Sequence, residues 1–359
     1  MSYPAVARID LSALLHNLAS IKKMVPQSKI LAMVKGNGYG HGAVTIAQAL
    51  VGQVAMLGVV CISEALKLYN AGINAPIVIL KGFFDANDLA IIDRCKFATV
   101  IHNQTQLDIL AQAKLQHPLH VWLKIDTGMH RLGFPLAVVK GAYQQLIANE
   151  NVVKPVYLMT HLSDADDVTS AKTHAQVRYF HEVVAGLDGA FCIANSSAIL
   201  NWREAHTEWV RPGITLYGVS PVASLPADKL GLIPVMTLVS RLITIHNLKK
   251  GDTVGYGSTW ACPEDMRVGI VDIGYGDGYP RCIKTGMPVL IHGKKLPLIG
   301  RVAMDMINVD LRHCPEAKIG DEVILWGKGL PIEEVATFTD TVSYELFCRL
   351  TSRLHFQVC

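Results

Sequence analysis

The sequence predicts an α/β fold in which a (β/α)8 barrel of the TIM type precedes a smaller, mainly β domain. Eight short apolar runs between residues 29 and 218 alternate with segments of helical periodicity, which is the pattern of βα units around a parallel sheet. Eight units favour a closed barrel over an open doubly wound sheet. After Leu230 the pattern changes to short strands bounded by Gly and Pro, so we divide the chain into residues 1–235 and 236–359.

Each predicted element rests on its local pattern. The apolar runs predict barrel strands at 30–34, 56–61, 77–80, 97–101, 119–125, 155–160, 190–194 and 209–211. Polar and apolar residues at helical spacing predict helices at 63–71, 88–94, 104–113, 136–148 and 171–187. Later strands are expected at 234–247, 287–292, 295–299, 306–311 and 322–326, with helices at 332–336 and 343–350. Residues 5–9 are a further strand candidate, which would join the second domain.

Composition narrows the class of protein. Half of the 359 residues are hydrophobic and 18% are charged, so the chain can bury a large core. The net charge of +3 comes without a block of Lys and Arg, which argues against a nucleic-acid partner. No apolar run approaches ~18 residues and no leader is visible, so we expect a cytoplasmic protein without a membrane span. The eight scattered cysteines form no Cys-x-x-Cys pair, which predicts reduced thiols and no metal site.

Lys35 is the first candidate for chemistry. It closes the apolar run that starts at Ile30, and a loop with four glycines follows at once. A lysine at a strand end points its amine into the pocket beyond, where desolvation lowers its pKa from about 10.4 and suits it to form a Schiff base. A surface lysine before a glycine turn is the alternative interpretation.

Other polar residues end predicted strands in the same way, namely Lys124, His161, Asn195 and Arg211. The carboxyl ends of barrel strands meet at one mouth, where barrel enzymes place their chemistry, whereas polar groups inside the barrel would be costly. The pattern therefore predicts a functional site at this mouth.

Several motifs in one order resemble those of the alanine racemases, the fold-type III pyridoxal-phosphate enzymes, and in particular the biosynthetic type of Gram-negative bacteria. They are Lys35-Gly-Asn-Gly-Tyr39-Gly-His-Gly, Lys124-Ile-Asp-Thr-Gly-Met-His-Arg131, Thr160-His161, Asn195-Ser196-Ser197, Arg211-Pro-Gly-Ile-Thr-Leu-Tyr-Gly218, Val254-Gly-Tyr256-Gly, Gly274-Tyr275-Gly-Asp-Gly-Tyr279 and Gly300-Arg-Val-Ala-Met-Asp305. Together they span almost the whole chain.

The resemblance implies that Lys35 binds pyridoxal 5′-phosphate as a Schiff base and moves the α-proton on one face of the amino acid. Tyr256 matches the acid/base on the opposite face. A tyrosine with a pKa of about 10 needs a relay or positive charge to act near neutrality, and the family implies His161 and Arg211.

The resemblance also implies the residues that hold the cofactor. Its phosphate contacts match Tyr39, Ser196, Gly213, Ile214 and Tyr344, although Asn-Ser-Ser is also typical of a helix N-cap. Arg211 matches the partner of the pyridine nitrogen, with a plain salt bridge as the alternative. Because a guanidinium cannot lend its proton, that nitrogen would stay neutral and the ring would be a weaker electron sink, which suppresses transamination.

The residues that match the family's substrate-binding residues are Arg131, Met304, Asp305 and Tyr275. Of these, Tyr275 matches the residue that controls the entrance to the active site. The guanidinium of Arg131 suits the cofactor's phenolic oxygen and the substrate carboxylate. Lys124 matches a position that is often carbamylated. Ala303 and Met306 stand where some relatives have cysteine and glutamine, which leaves the details of substrate access open.

The expected reaction is the interconversion of L- and D-alanine by two-base proton transfer, supplying D-alanine for peptidoglycan. A serine or broader racemase of the same fold is the alternative, and the missing leader favours alanine. The Tyr256 motif argues against a decarboxylase of the same fold. The region 236–359 argues against a non-catalytic protein that carries the cofactor, because such carriers lack a second domain. A metabolite-binding barrel without a cofactor is the remaining alternative. The resemblance implies a head-to-tail homodimer with shared sites, in which each β domain contributes Tyr256 and Met304 to the partner's site.

Overall fold

A computed structural model describes residues 5–222 and 224–359. Within these ranges, eight parallel strands form the barrel: Lys29–Met33, Met56–Val59, Ile77–Ile79, Ala98–Ile101, Val121–Asp126, Tyr157–Met159, Phe191–Asn195 and Trp209–Arg211. Neighbouring strands pair in parallel all the way round, and Ala98–Ile101 pairs with Val121–Asp126 to close the ring. The predicted closed (β/α)8 barrel is confirmed. A two-residue strand, Phe134–Pro135, adds to the rim beside Val121–Asp126.

The helices of the barrel surround this ring. The α-helices are Leu11–Met24, Ala43–Leu50, Ile62–Asn70, Ala86–Cys95, Gln104–Gln112, Val139–Ala148, Ala171–Val184 and Ser196–Asn201, and the 3-10 helices are Leu136–Val138, Arg203–Ala205, Ile214–Tyr217 and Ala227–Leu230. Helices begin close to the strand ends because side chains cap them there: Asn103 accepts the Gln106 N–H and Asn195 accepts the Ala198 N–H. The N-cap interpretation of Asn-Ser-Ser is therefore correct for Asn195.

The second region is mainly β. Its strands are Met236–Leu248, Thr253–Val254, Trp260–Ala261, Met266–Val271, Pro288–Ile291, Lys294–Ile299, Ile307–Asp310, Glu322–Trp326 and His355–Val358; its helices are Ile332–Thr337 and Ser343–Cys348, with 3-10 turns at Tyr256–Ser258 and Tyr275–Asp277. The strand Val6–Ile9 lies in this sheet, antiparallel to Met236–Leu248 and parallel to His355–Val358. Both ends of the described chain thus lie in one sheet.

The two regions meet where the helix Ser343–Cys348 packs on the loop after Lys35. A Cβ atom at Gly40 would lie 2.1 Å from the Phe347 carbonyl oxygen, so a residue without a side chain is required there. This contact brings Tyr344 to the barrel mouth. None of the helices in the described ranges is long and apolar enough to cross a membrane, and all eight cysteines are free thiols.

Candidate active site

Lys35 lies at the carboxyl mouth of the barrel, two residues after the strand Lys29–Met33 ends. Burial lowers the pKa of its amine, and the positive charges of Arg131 and Arg211 lower it further. The amine therefore gives up its proton more readily than that of a surface lysine.

The chain after Lys35 makes one left-handed turn. The φ angles of Gly36, Asn37, Gly38 and Tyr39 are 59°, 55°, 65° and 49°. This conformation costs a residue with a side chain roughly 1–2 kcal/mol, glycine far less, and asparagine tolerates it better than most. The composition of the loop is thus explained by its backbone, and Tyr39 is the residue that carries most of the strain.

Tyr39 is held by two other tyrosines. Its ring centroid lies 4.9 Å from that of Tyr217 and 5.9 Å from that of Tyr344. Burial raises the pKa of the Tyr39 phenol and that of the Tyr344 phenol. Both hydroxyl groups therefore remain protonated at neutral pH and can donate hydrogen bonds to an anion.

A cavity of about 150 Å³ lies beside these groups at the barrel mouth. It is lined by Met33, Lys35, Tyr39, Leu80, Lys124, Arg131, Met159, His161, Asn195, Ser196, Arg211, Gly213, Ile214 and Tyr344. Ten of the predicted site residues are among them. Of these described lining residues, four are Lys or Arg and none is Asp or Glu, so the cavity suits an anionic ligand.

Small residues form one end of the cavity. The Gly213 N–H donates to the Ser196 hydroxyl oxygen at 2.8 Å, and the Thr215 hydroxyl group lies 3.1 Å from it. A Cβ atom at Gly213 would lie 2.5 Å from the Tyr39 hydroxyl oxygen, so glycine lets the phenol approach. This end presents hydroxyl and backbone N–H groups, as a phosphate requires.

Arg211 also lines the cavity, and its guanidinium bonds mainly to backbone carbonyls. Its guanidinium donates to the carbonyl oxygens of Cys192, Thr160 and Ile193, at 2.8, 2.6 and 3.2 Å. One Nη also lies 3.4 Å from Nδ1 of His161. Within the described chain no carboxylate pairs with Arg211, so the salt-bridge alternative is not what the structure contains, and the positive charge is directed at the cavity.

The positive charge of Arg211 also lowers the pKa values of two neighbouring side chains, His161 and Lys124. Burial and the charge of Arg211 lower the pKa of His161 well below its ordinary value, which leaves a neutral imidazole. For Lys124, burial and then the charges of Arg211, Arg131 and Lys35 lower the pKa to about 7. A large fraction of the Lys124 amine is therefore uncharged at neutral pH.

The predicted site residues of the β region, except Tyr344, lie outside this cavity. Tyr256 is 71% exposed, and Tyr275 and Met304 are exposed as well. The Asp305 carboxylate accepts a hydrogen bond from Arg353 at 2.7 Å. A single chain therefore brings together the barrel residues and Tyr344 but not the other four.

The sequence reasoning missed Glu64. Its carboxylate accepts hydrogen bonds from the N–H of Gly36, the residue after Lys35, at 2.7 Å and from the N–H of Val60 at 2.8 Å. Glu64 is the second residue of the predicted helix 63–71, and a glutamate in the first turn of a helix was the available signal. Cys192 was also missed: its sulfur lies 2.9 Å from Nη1 of Arg211.

The fold and the cavity define a barrel enzyme with a cationic cavity that suits a small anionic molecule, beside a lysine amine of lowered pKa. The family profile "Alanine racemase, N-terminal domain" matches residues 9–221, and "Alanine racemase, C-terminal domain" matches residues 235–358. The chain belongs to the alanine racemase family.

Individual relatives agree with this assignment over the full length. The chain is 47% identical over 357 residues to the alanine racemase of Coxiella burnetii, covering 98% of each. It is 48% identical over 351 residues to that of Pasteurella multocida, covering 98% of this chain and 97% of the relative. The structure of the biosynthetic alanine racemase from Pseudomonas aeruginosa matches with a TM-score of 0.96 and 40% identity, covering all of both chains. The Bartonella henselae enzyme, described with covalently bound pyridoxal phosphate, matches with a TM-score of 0.87 at 29% identity, again over both whole chains.

Proposed function

We propose that this chain is an alanine racemase, which interconverts L-alanine and D-alanine with pyridoxal 5′-phosphate bound at Lys35. The observation that carries the proposal is the cavity at the barrel mouth, where a lysine with a lowered pKa lies among cationic side chains without a carboxylate in the described lining. The substrate is inferred from the relatives, which are alanine racemases.

The residues of the cavity fit this cofactor, because its phosphate carries close to two negative charges at neutral pH. The residues that would hold it are Lys35 at the carbonyl carbon, Arg211 at the pyridine nitrogen, Arg131 at the phenolic oxygen, and Tyr39, Ser196, Gly213, Ile214 and Tyr344 at the phosphate. When bound, the group withdraws electrons from the amino acid's α-carbon and so makes the α-proton removable.

Arg211 tunes that electron withdrawal. A guanidinium donates a hydrogen bond but keeps its proton, and the neutral His161 beside it has none to spare. Arg211 would therefore hold the pyridine nitrogen without protonating it. The group would then be a weaker electron acceptor, which would favour return of the proton to the α-carbon.

Lys35 carries the proton on one face of the α-carbon. Its Nζ accepts the α-proton when neutral and returns one when protonated, and the lowered pKa brings both forms closer to neutral pH. Racemisation needs a second group on the opposite face. We assign this role to the hydroxyl oxygen of Tyr256.

Because Tyr256 is exposed and outside the cavity of its own chain, we propose a head-to-tail homodimer in which each β region covers the partner's barrel mouth. The surface around Tyr256 supports this, because Ile243 and Met306 are large apolar side chains that are also exposed there. A symmetric pairing would bury two such surfaces and complete two sites.

The substrate carboxylate would be bound by Arg131, whose guanidinium lines the cavity. In the proposed dimer, Met304, Asp305 and Tyr275 approach from the partner's side. The Tyr275 N–H donates to the Ala303 carbonyl at 3.0 Å, which holds these residues in one unit. Tyr275 would narrow the entrance, favouring small amino acids.

Lys124 would carry a carbamate. Its uncharged amine attacks carbon dioxide, an N–C bond forms and a proton is released, which replaces a buried amine by an anion. That anion would lie near Arg211 and Arg131 and be stabilised by their positive charges. In the unmodified chain the same charges destabilise a protonated Lys124. The modified Lys124 would then orient Arg131.

The biological role follows from the reaction. D-alanine is a building block of peptidoglycan, and we propose that this enzyme supplies it. The cytoplasm is the proposed compartment, because eight free cysteine thiols suit reducing conditions.

The proposal is tested with the purified chain and added pyridoxal 5′-phosphate. We expect a visible absorption band and conversion of L-alanine to D-alanine, measured by chiral chromatography. The same assay with serine and larger amino acids distinguishes an alanine racemase from a broad-specificity one. Absence of both the band and the conversion would exclude the proposed function.

A further inference from the structure

We propose that Glu64 is a positioning residue for Lys35: its carboxylate fixes the backbone directly after the lysine, and its negative charge favours the protonated amine. This inference rests on the proposed role of Lys35 as the residue that carries the proton. Glu64 itself lies outside the cavity lining and touches no reacting atom.

The geometry shows the attachment. The N–H of Gly36 donates to Oε1 of Glu64 at 2.7 Å, and the N–H of Val60 donates to Oε2 at 2.8 Å. Gly36 follows Lys35 in the chain, and Val60 follows the next barrel strand, Met56–Val59. One side chain thus ties the loop of Lys35 to the neighbouring strand end.

This position requires a carboxylate. Both backbone partners are donors, and only a carboxylate offers an acceptor oxygen to each. The helix Gln104–Gln112 provides a comparison, because Gln106 accepts the His102 N–H at 2.8 Å and donates to the carbonyls of Lys81 and Phe83. Gln106 thus stands where the loop after the previous barrel strand offers the carbonyl groups of Lys81 and Phe83. Glu64 stands where the corresponding loop offers the N–H group of Gly36.

The loop of Lys35 is a segment that needs such support, since its left-handed turn is strained at Tyr39. The helix Ile62–Asn70 contacts the turn a second time, where Nζ of Lys67 donates to Oδ1 of Asn37 at 3.0 Å. Glu64 and Lys67 are three residues apart and so share one helix face. That face holds the turn at two successive residues.

The charge of Glu64 opposes the other influences on Lys35. The titratable and charged groups that face its amine are Arg131, Arg211, Lys124, His161, Cys348 and Glu64. Burial and the two arginines lower the pKa of Lys35, whereas Glu64 raises it. Removal of the negative charge therefore favours the neutral amine, and the pKa of Lys35 falls further.

The test compares Glu64→Gln with the matched control Asp88→Asn. Asp88 lies on the next helix, Ala86–Cys95, and accepts the N–H of Phe84 four residues earlier at 2.9 Å, as Glu64 does with Val60. The pKa of Lys35 is read from the pH dependence of its acetylation by trace acetic anhydride, quantified by peptide mass spectrometry on the full-length chain without added cofactor. The pH profile of kcat for L-alanine is measured on the loaded enzyme at saturating substrate, because kcat reports the groups of the enzyme–substrate complex, in which Lys35 carries the proton.

In Glu64→Gln we expect the Lys35 pKa and the acid limb of the kcat profile to move down by about half a pH unit or more, with the plateau value of kcat reduced roughly tenfold. Asp88→Asn should move neither. Glu64→Asp restores the charge on a shorter stem, so it should restore the pKa more fully than kcat, and it replaces the glutamine variant if that one does not fold.

A Lys35 pKa and a pH profile that are unchanged in a folded Glu64→Gln chain would overturn the proposal and leave Glu64 with a purely structural role. A wild-type chain that racemises no alanine, but whose Lys35 labelling shifts in Glu64→Gln, would instead refute the proposed function and retain the positioning role. The two failures are therefore distinguishable.

Discussion

The hydroxyl oxygen of Tyr39 lies only 2.5 Å from the place that a Cβ atom on Gly213 would occupy. Gly213→Ala should therefore displace the phenol from the phosphate end of the cavity. We expect the Kd for pyridoxal 5′-phosphate, measured by fluorescence titration, to rise about tenfold, because the variant loses roughly one charge-assisted hydrogen bond to the phosphate. Gly141→Ala is the control, because nothing lies within 4 Å of a Cβ there. Equal Kd values in both variants would contradict the assigned phosphate end.

Lys35→Ala should remove the visible band and reduce racemisation to the background rate, because no other amine occupies this strand end. Lys81→Ala, at an exposed position after another barrel strand, should retain both. Borohydride reduction of the wild-type chain followed by peptide mass spectrometry locates the cofactor. Label on Lys124 instead of Lys35 would show that the wrong lysine was assigned.

The carbamate on Lys124 should depend on pH in a defined direction. Its pKa of about 7 means that the reactive neutral amine increases as the pH rises through 7. With ¹³C-bicarbonate, we expect a carbamate carbon signal by NMR that is weak at pH 6 and near its maximum above about pH 8. Lys124→Gln should abolish this signal, and a signal that persists in that variant would come from another amine.

Shared sites can be tested by subunit exchange between two inactive variants, Lys35→Ala and Tyr256→Ala. Random mixing makes about half of the dimers mixed, and each of these has one site with both groups intact, so activity should return to about a quarter of wild type. Mixing Lys35→Ala with Lys35→Gln is the control and should recover nothing. If exchange is demonstrated but activity stays at zero, both groups belong to one chain.

Most barrel elements were predictable because each depends on nearby residues. The apolar run at 209–211 coincides with the strand Trp209–Arg211, and the predicted strand 77–80 differs from Ile77–Ile79 by one residue. The helices Leu11–Met24 and Ala43–Leu50, most of the 3-10 helices, and the strands Phe134–Pro135, Thr253–Val254, Trp260–Ala261, Met266–Val271 and His355–Val358 were not predicted, and of the helix Ser196–Asn201 the sequence indicated only the N-cap. The helix Leu11–Met24 did have a local signal, because Asp10 caps it and the buried residues Leu14, Leu18 and Ile21 recur at helical spacing. The helix Ala43–Leu50 directly follows the glycine-rich loop of Lys35.

The sequence by itself determined the alternation of strands and helices, and with it the convergence of Lys35, Lys124, His161 and Arg211, because parallel barrel strands place their carboxyl ends at one mouth. The tertiary structure decided what surrounds them. The hydrogen bond between Glu64 and Gly36 joins residues 28 positions apart, and the ring contact between Tyr344 and Tyr39 joins two regions of the fold. Such contacts depend on how finished elements pack, so no local pattern of residues specifies them. The same packing leaves Tyr256 exposed and outside the cavity of its own chain, and this exposure is the observation on which the proposed shared site rests.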